Sequence, residues 1–258
     1  MDALIIIFVT GLIGLFVGML KNSRLTLAVI SVGLIAGFVS MYHINDYQSM
    51  FQSYQGLQFS RTQHMFALLA IALTLVSVLL GYTYFKEDEE HTSDYYGLML
   101  FSLTGALCLI GFSNLFMFFL GLEILSIPIY VLVGIQKGNA LASEASVKYF
   151  FTGSFATAIM LFGIALVYGS TGSFEMNEIQ MAIDMGIMKS PMLNIGVLMM
   201  MAAFLFKVGA VPFHFWGPDV YQGSSNAVMA YMASVVKLAA LFAFVHFFNF
   251  TFHSVTPF

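Results

Sequence analysis

The apolar positions of this chain fall into long runs separated by short polar breaks, each run close to the twenty or so residues an α-helix needs to cross a bilayer. Eight such runs can be placed. The first covers about 3–20 and is closed by the turn Lys21-Asn22-Ser23-Arg24, and the second covers about 25–42. A polar stretch from His43 to Gln63 precedes a third run at about 64–85, after which Lys86-Glu87-Asp88-Glu89-Glu90-His91 predicts a solvated loop. The stretch 95–135 is too long for one helix, and Ser113-Asn114 divides it into a fourth and a fifth. The sixth lies at about 145–168. Between 169 and 190, Phe174, Ile179 and Ile183 stand among acidic residues, a pattern that predicts a surface amphipathic helix. The seventh run covers about 192–221 and the eighth about 226–248.

The seventh run is interrupted. Lys207-Val208-Gly209-Ala210-Val211-Pro212-Phe213-His214 sets a glycine and a proline in its middle. Proline removes a backbone donor and clashes with the preceding turn, so Gly209 and Pro212 predict non-helical backbone from about Gly209 to Phe213, with Lys207 closing the first half-helix. Irregular backbone at membrane depth persists only where protein buries it or a wet cavity receives it, and transporters place binding sites at such breaks. The alternative is a helix that simply ends at Ala210 and continues as an interfacial loop.

Composition places these runs in one class. Of the 258 residues 60% are hydrophobic, with 28 Phe and 18 Met, and the mean hydropathy is +0.90. That exceeds the apolar fraction of a soluble domain and predicts an all-α, polytopic transmembrane helix bundle of about eight helices. The N-terminus has no basic segment before its apolar run, so that run is expected to be a retained span and not a cleaved leader. Cys108, the single cysteine, can form no internal disulfide and is expected to be an inert packed thiol. No glycine-rich nucleotide loop or Cys/His ligand spacing occurs, so no cofactor or metal is expected in this chain, and no nucleic-acid partner either. Orientation follows from cations in short loops. The odd-numbered loops carry Lys21, Arg24, Lys86 and Lys137 against Arg61 and Lys189 in the even ones, which favours an N-terminus outside the cell.

Charge is scarce, at 9% of residues, and four charged positions lie within the apolar runs: Glu123, Lys148, Lys207 and Lys237. An ionisable group near the bilayer centre costs roughly 2.5–3.5 kcal/mol on insertion scales, so it persists with a partner or a function. Glu123 needs a cation beside it or a proton on it. A buried lysine whose charge is tipped by a moving acidic partner can relay protons, whereas a fixed buried ion pair would only lock helix packing. Glu144 and Lys148 are spaced i,i+4 in the favourable order at the start of the sixth run, consistent with a solvated helix-end pair or a supporting functional role. His214, just after the break, could carry protons near neutral pH, while His246 and His253 are expected near the interface.

Three stretches also carry a resemblance: Gly121-Leu-Glu-Ile-Leu-Ser-Ile-Pro-Ile-Tyr, Ser143-Glu-Ala-Ser-Val-Lys-Tyr-Phe, and Phe206-Lys-Val-Gly-Ala-Val-Pro-Phe-His-Phe-Trp-Gly-Pro-Asp-Val-Tyr-Gln-Gly. They resemble the antiporter-like membrane subunits of respiratory complex I, the proton-translocating NADH:quinone oxidoreductase. The resemblance implies a family fold of fourteen helices around two inverted five-helix repeats, each with one broken helix. Residues 1–94 would then hold three leading helices and 95–258 the first repeat, the second being absent from this chain. It further implies a proton path through Glu123, Lys148, Lys207 and Lys237. Neighbouring antiporter-like and other membrane subunits would be the partners, in the bacterial plasma membrane. NADH, flavin, iron–sulfur and quinone would belong elsewhere in the complex. Two other readings stay open: a cation/proton antiporter subunit of the same fold, and a membrane scaffold that transports nothing.

Overall fold

A computed structural model of the chain describes residues 2–43, 56–85, 92–136, 138–186 and 190–252. The acidic loop 86–91, His253 and the loop cations Lys137 and Lys189 lie outside the described residues. Helices α1 (Asp2–Gly18), α2 (Ser23–Tyr42) and α3 (Arg61–Phe85) lead into α4 (Thr92–Ile110), α5 (Leu115–Val133) and α6 (Ala140–Thr171). A short α7 (Met176–Asp184) precedes α8 (Pro191–Val208) and α9 (Trp216–Gly223). The chain then runs through α10 (Asn226–Tyr231), a π-helical turn (Met232–Val236) and α11 (Lys237–Phe252). Among the described residues, seven helical segments are long and apolar enough to cross a membrane, and α1, at 17 residues, is apolar but shorter. The protein is a multi-pass, all-α membrane bundle.

Polar caps set the helix ends where the apolar runs stop. Asn114 accepts the Met117 amide at 2.8 Å and starts α5, so the long run does divide at Ser113-Asn114. Asn139 accepts the Leu141 and Ala142 amides and starts α6 several residues before the predicted 145, and α6 ends at a left-handed Gly172. The amphipathic stretch forms α7, which buries Met176, Ile179 and Ile183, while Phe174 lies before it and stacks on Tyr168 at 4.2 Å.

Helix pairs are drawn together by small residues. A Cβ on Gly105 of α4 would fall 2.1 Å from the Leu125 nitrogen of α5, and one on Gly121 would fall 2.7 Å from the Leu109 nitrogen, so the two backbones meet directly. In lipid, association relies on such close packing, since burying apolar surface gains little against hydrocarbon. Helix α4 lies at the centre, packed against α1, α3, α5 and α11, while α6 packs against α8 and α5. Cys108 is buried and unbridged.

Candidate functional site

The seventh run contains two helices and a break. Helix α8 ends at Val208, Gly209 takes a left-handed conformation (φ 77°), the chain turns through 210–215, and α9 begins at Trp216. The Val211–Pro212 peptide is cis. The last four carbonyls of a helix have no partner within it, and at membrane depth water cannot supply one. Here all four are satisfied. Leu205 O accepts from Gly209 N at 3.0 Å and Ala210 N at 2.9 Å. Phe206 O accepts from Gly209 N and from the Trp216 indole at 2.9 Å. Lys207 O and Val208 O both accept from the Lys237 ammonium, at 3.1 and 2.5 Å. The glycine supplies the conformation, and a side chain from the following helix supplies the donors.

Lys207 sits one residue before that end and is 5% exposed. Its ammonium donates to the Ser126 hydroxyl at 2.5 Å, and Ser126 in turn donates to Leu122 O, one turn back on α5. The rings of Tyr130 and Tyr149 lie 5.6 and 5.8 Å from the same ammonium. A cavity of about 10 Å³ borders Lys207 between Tyr130 and Thr157, roughly the space of one water. Glu123 is half-buried, three residues before Ser126 on α5, and its Oε1 is buried with no hydrogen-bond partner among the described residues. No ion pair joins Glu123 to Lys207. The lysine instead meets a serine, because it reaches α5 at the level of residue 126, one turn from the carboxylate.

Lys237 is partly buried where α11 starts, directly after the π-helical turn. That turn sits where Ser234 bonds back to Ala230 O at 2.7 Å and Tyr231 O at 3.3 Å, a side-chain competition with the helix ladder. The extra residue in the turn rotates the face of α11 on which Lys237 stands, and π-bulges recur at functional sites. Besides the two carbonyls, the Lys237 ammonium lies 4.7 Å from the Trp216 ring.

Lys148 belongs to a separate cluster. Its ammonium pairs with Glu144 at 2.7 Å and with Asp219 of α9 at 2.7 Å, with side chains roughly half exposed. The i,i+4 pair is therefore an ion triad. The three residues line a cavity of about 70 Å³ together with Gln222. His214 is exposed on the turn after Pro212, and none of the contacts of Lys207 involves it. His246 lies far along α11, beside Gln63 of α3 at 3.4 Å and between the rings of Phe112 and Phe242.

Sequence reasoning did not single out Ser126, Tyr130, Tyr149, Trp216 or Asp219. All five carried the same weak signal, since each falls in one of the three stretches that bear the resemblance. Beyond that, Ser126 was marked only by standing one turn from Glu123.

The broken helix, closed by one lysine and carrying another at its end, lies within the part of the chain that a family model matches. The model of the NADH:quinone oxidoreductase/Mrp antiporter transmembrane family matches residues 113–257, more than half of the chain, and the chain belongs to that family. It is 40% identical over 255 residues to NADH-quinone oxidoreductase subunit N of Cytophaga hutchinsonii, covering 99% of this chain and 55% of that one. It is 37% identical over 249 residues to subunit N of Flavobacterium psychrophilum, covering 95% and 54%. Among solved structures, a chain of respiratory complex I from Thermus thermophilus with bound aureothin matches with a TM-score of 0.76 and 28% identity, covering 94% of this chain and 52% of that one. A chain of the Mrp complex from Dietzia matches in fold, with a TM-score of 0.73 and 18% identity, covering 100% and 51%. The chain spans about half the length of the relatives it matches.

Proposed function

We propose that this chain is part of a proton-translocating membrane subunit, subunit N, of an NADH:quinone oxidoreductase. Residues 95–258 act as one antiporter-like five-helix repeat behind three leading helices at 1–94. Electron transfer takes place elsewhere in the complex, where NADH, flavin, iron–sulfur centres and quinone belong, and this chain moves protons in response. Neighbouring antiporter-like subunits are its partners, and the bacterial plasma membrane its location. The observation that carries the reading is Lys207. It is a cation 5% exposed at a helix end, held by a neutral hydroxyl and two rings with no carboxylate in ion-pair contact. An ammonium held this way can give up its proton without breaking an ion pair.

Glu123, Ser126, Lys207 and Lys237 provide the sequence of groups. Glu123 biases Lys207 by its charge, Ser126 offers the nearest oxygen, and Lys237 receives the consequence at the backbone of the same helix end. Lys148, Glu144 and Asp219 form a charged mouth on the half-exposed side of α6. A cation/proton antiporter subunit is the second reading, supported by the fold shared with the Mrp complex. The 40% identity to subunit N over nearly the whole chain favours the first.

The test is NADH-driven proton uptake by vesicles carrying the assembled complex, normalised to complex content. Lys207→Met and Glu123→Gln lower uptake while the complex still assembles. Unchanged uptake in both variants overturns the relay. Sodium-driven exchange without NADH oxidation favours the antiporter. The orientation, N-terminus outside, is checked by cysteines placed between Lys86 and Asp94 and between His43 and Gln63, which should label from opposite sides.

A further inference from the structure

Trp216 is the only tryptophan in the chain and is buried at the first residue of α9. Its indole N–H donates to Phe206 O of α8 at 2.9 Å. Its ring stacks on Tyr149 of α6 at 4.8 Å and 14°, and lies 4.7 Å from the Lys237 ammonium. Tyr149 is itself 5.8 Å from the Lys207 ammonium. The stacked pair therefore links the two lysines, with one ring against each charge.

The Lys237 ammonium makes three contacts: the Lys207 carbonyl, the Val208 carbonyl and this ring. Each is stronger when Lys237 is charged. A helix C-terminus carries partial negative charge, which attracts a cation. The face of an indole attracts a cation through its quadrupole, and more strongly away from water. A neutral amine keeps its N–H donors but loses both attractions. Lys207 is the residue whose carbonyl Lys237 holds, so both lysines meet at the same helix end.

We propose that Trp216 is a positioning residue that couples the charge on Lys237 to closure of the helix break. With Lys237 charged, Trp216 and the two carbonyls hold α8, α9 and α11 together around Gly209. With Lys237 neutral, the tryptophan keeps its hydrogen bond to Phe206 but loses the cation, and the break loosens beside Lys207. The geometry suits this role, since a Cβ on Gly209 would stand 3.3 Å from the Lys237 nitrogen and 3.6 Å from the Trp216 ring, so both groups lie directly against the break. This inference rests on the proton-relay reading above.

The test uses the assembled complex with tryptophan replaced at position 216 alone by mono-, di- and trifluorinated tryptophan. Fluorine draws electron density from the ring and weakens its hold on a cation, while size, stacking and the N–H donor are retained. Proton uptake per NADH oxidised should fall stepwise along the series, by about threefold to tenfold at the end, at constant complex content. A flat series overturns the proposal. In parallel, the fluorine resonance of the monofluorinated protein should move on Lys237→Gln, and an unmoved resonance removes the charge contact. Should Lys207→Met and Lys237→Gln themselves leave uptake unchanged, the relay reading fails, and the resonance alone then decides whether Trp216 senses the lysine.

Discussion

Lys207 and Lys148 are cations set in neighbouring apolar helices, and their surroundings differ in almost every respect. Lys148 has two carboxylates at 2.7 Å and a side chain 46% exposed. Lys207 is 5% exposed and meets a serine and two tyrosine rings. The first lysine is saturated with negative charge, so losing its proton would leave two carboxylates unbalanced. The second is held by dipoles and ring faces that tolerate a neutral amine. Ion pairing fixes a charge, and neutral partners leave it free to change. On that distinction Lys207 is the proton carrier we propose, and Lys148 organises a charged surface.

The distinction can be broken at four positions. Lys207→Met removes the mobile group and should lower proton uptake by the assembled complex on the order of tenfold or more. Lys207→Arg should recover little of it, because a guanidinium holds its proton too firmly to pass it on. Full activity of the arginine variant would show that only a fixed charge is needed. Glu123→Gln keeps the shape but removes the carboxylate proposed to act on Lys207, so uptake should drop by roughly threefold to tenfold, equivalent to about 1 kcal/mol. Wild-type uptake in Glu123→Gln would mean the carboxylate is not coupled to the lysine.

Ser126→Ala sharpens the comparison. It leaves a buried donor without its acceptor, at a cost of about 1–3 kcal/mol, and it should slow uptake by a few-fold while Ser126→Thr restores most of the rate. An alanine variant with wild-type kinetics would place the proton path elsewhere. The smallest effect belongs to the surface triad. Lys148→Met should reduce uptake by less than about twofold, because exposed ion pairs contribute little and salt screens them. A larger loss than that of Glu123→Gln would reverse the roles assigned to the two lysines.

Much of this was legible in the chain. The span positions and the divide at Asn114 follow from run length and one capping residue, and the break follows from Gly209 and Pro212. Lys207, Lys237, Glu123 and Lys148 stood out because charges inside apolar runs are costly. The partners were not legible. A serine in a helix bonds its own backbone as readily as a neighbour, so nothing in the sequence marked Ser126 as the group facing Lys207. Periodicity assigns Glu123 and Ser126 to one side of α5, but only the depth of Lys207 decides which of them it meets. The π-helical turn before Lys237 has no sequence signature in Met-Ala-Ser-Val-Val, and it shifts the register of every side chain after it. Asp219 reaches Lys148 only because the chain turns at 209–215 and starts a new helix beside α6. His214 was a plausible partner by adjacency alone, and the same turn leaves it exposed.

The most direct test of the account is proton uptake per NADH oxidised, measured side by side for Lys207→Met and Lys148→Met in vesicles matched for complex content. The account predicts a loss on the order of tenfold for the first and less than about twofold for the second. Equal losses, or undiminished uptake with Lys207→Met, would contradict it.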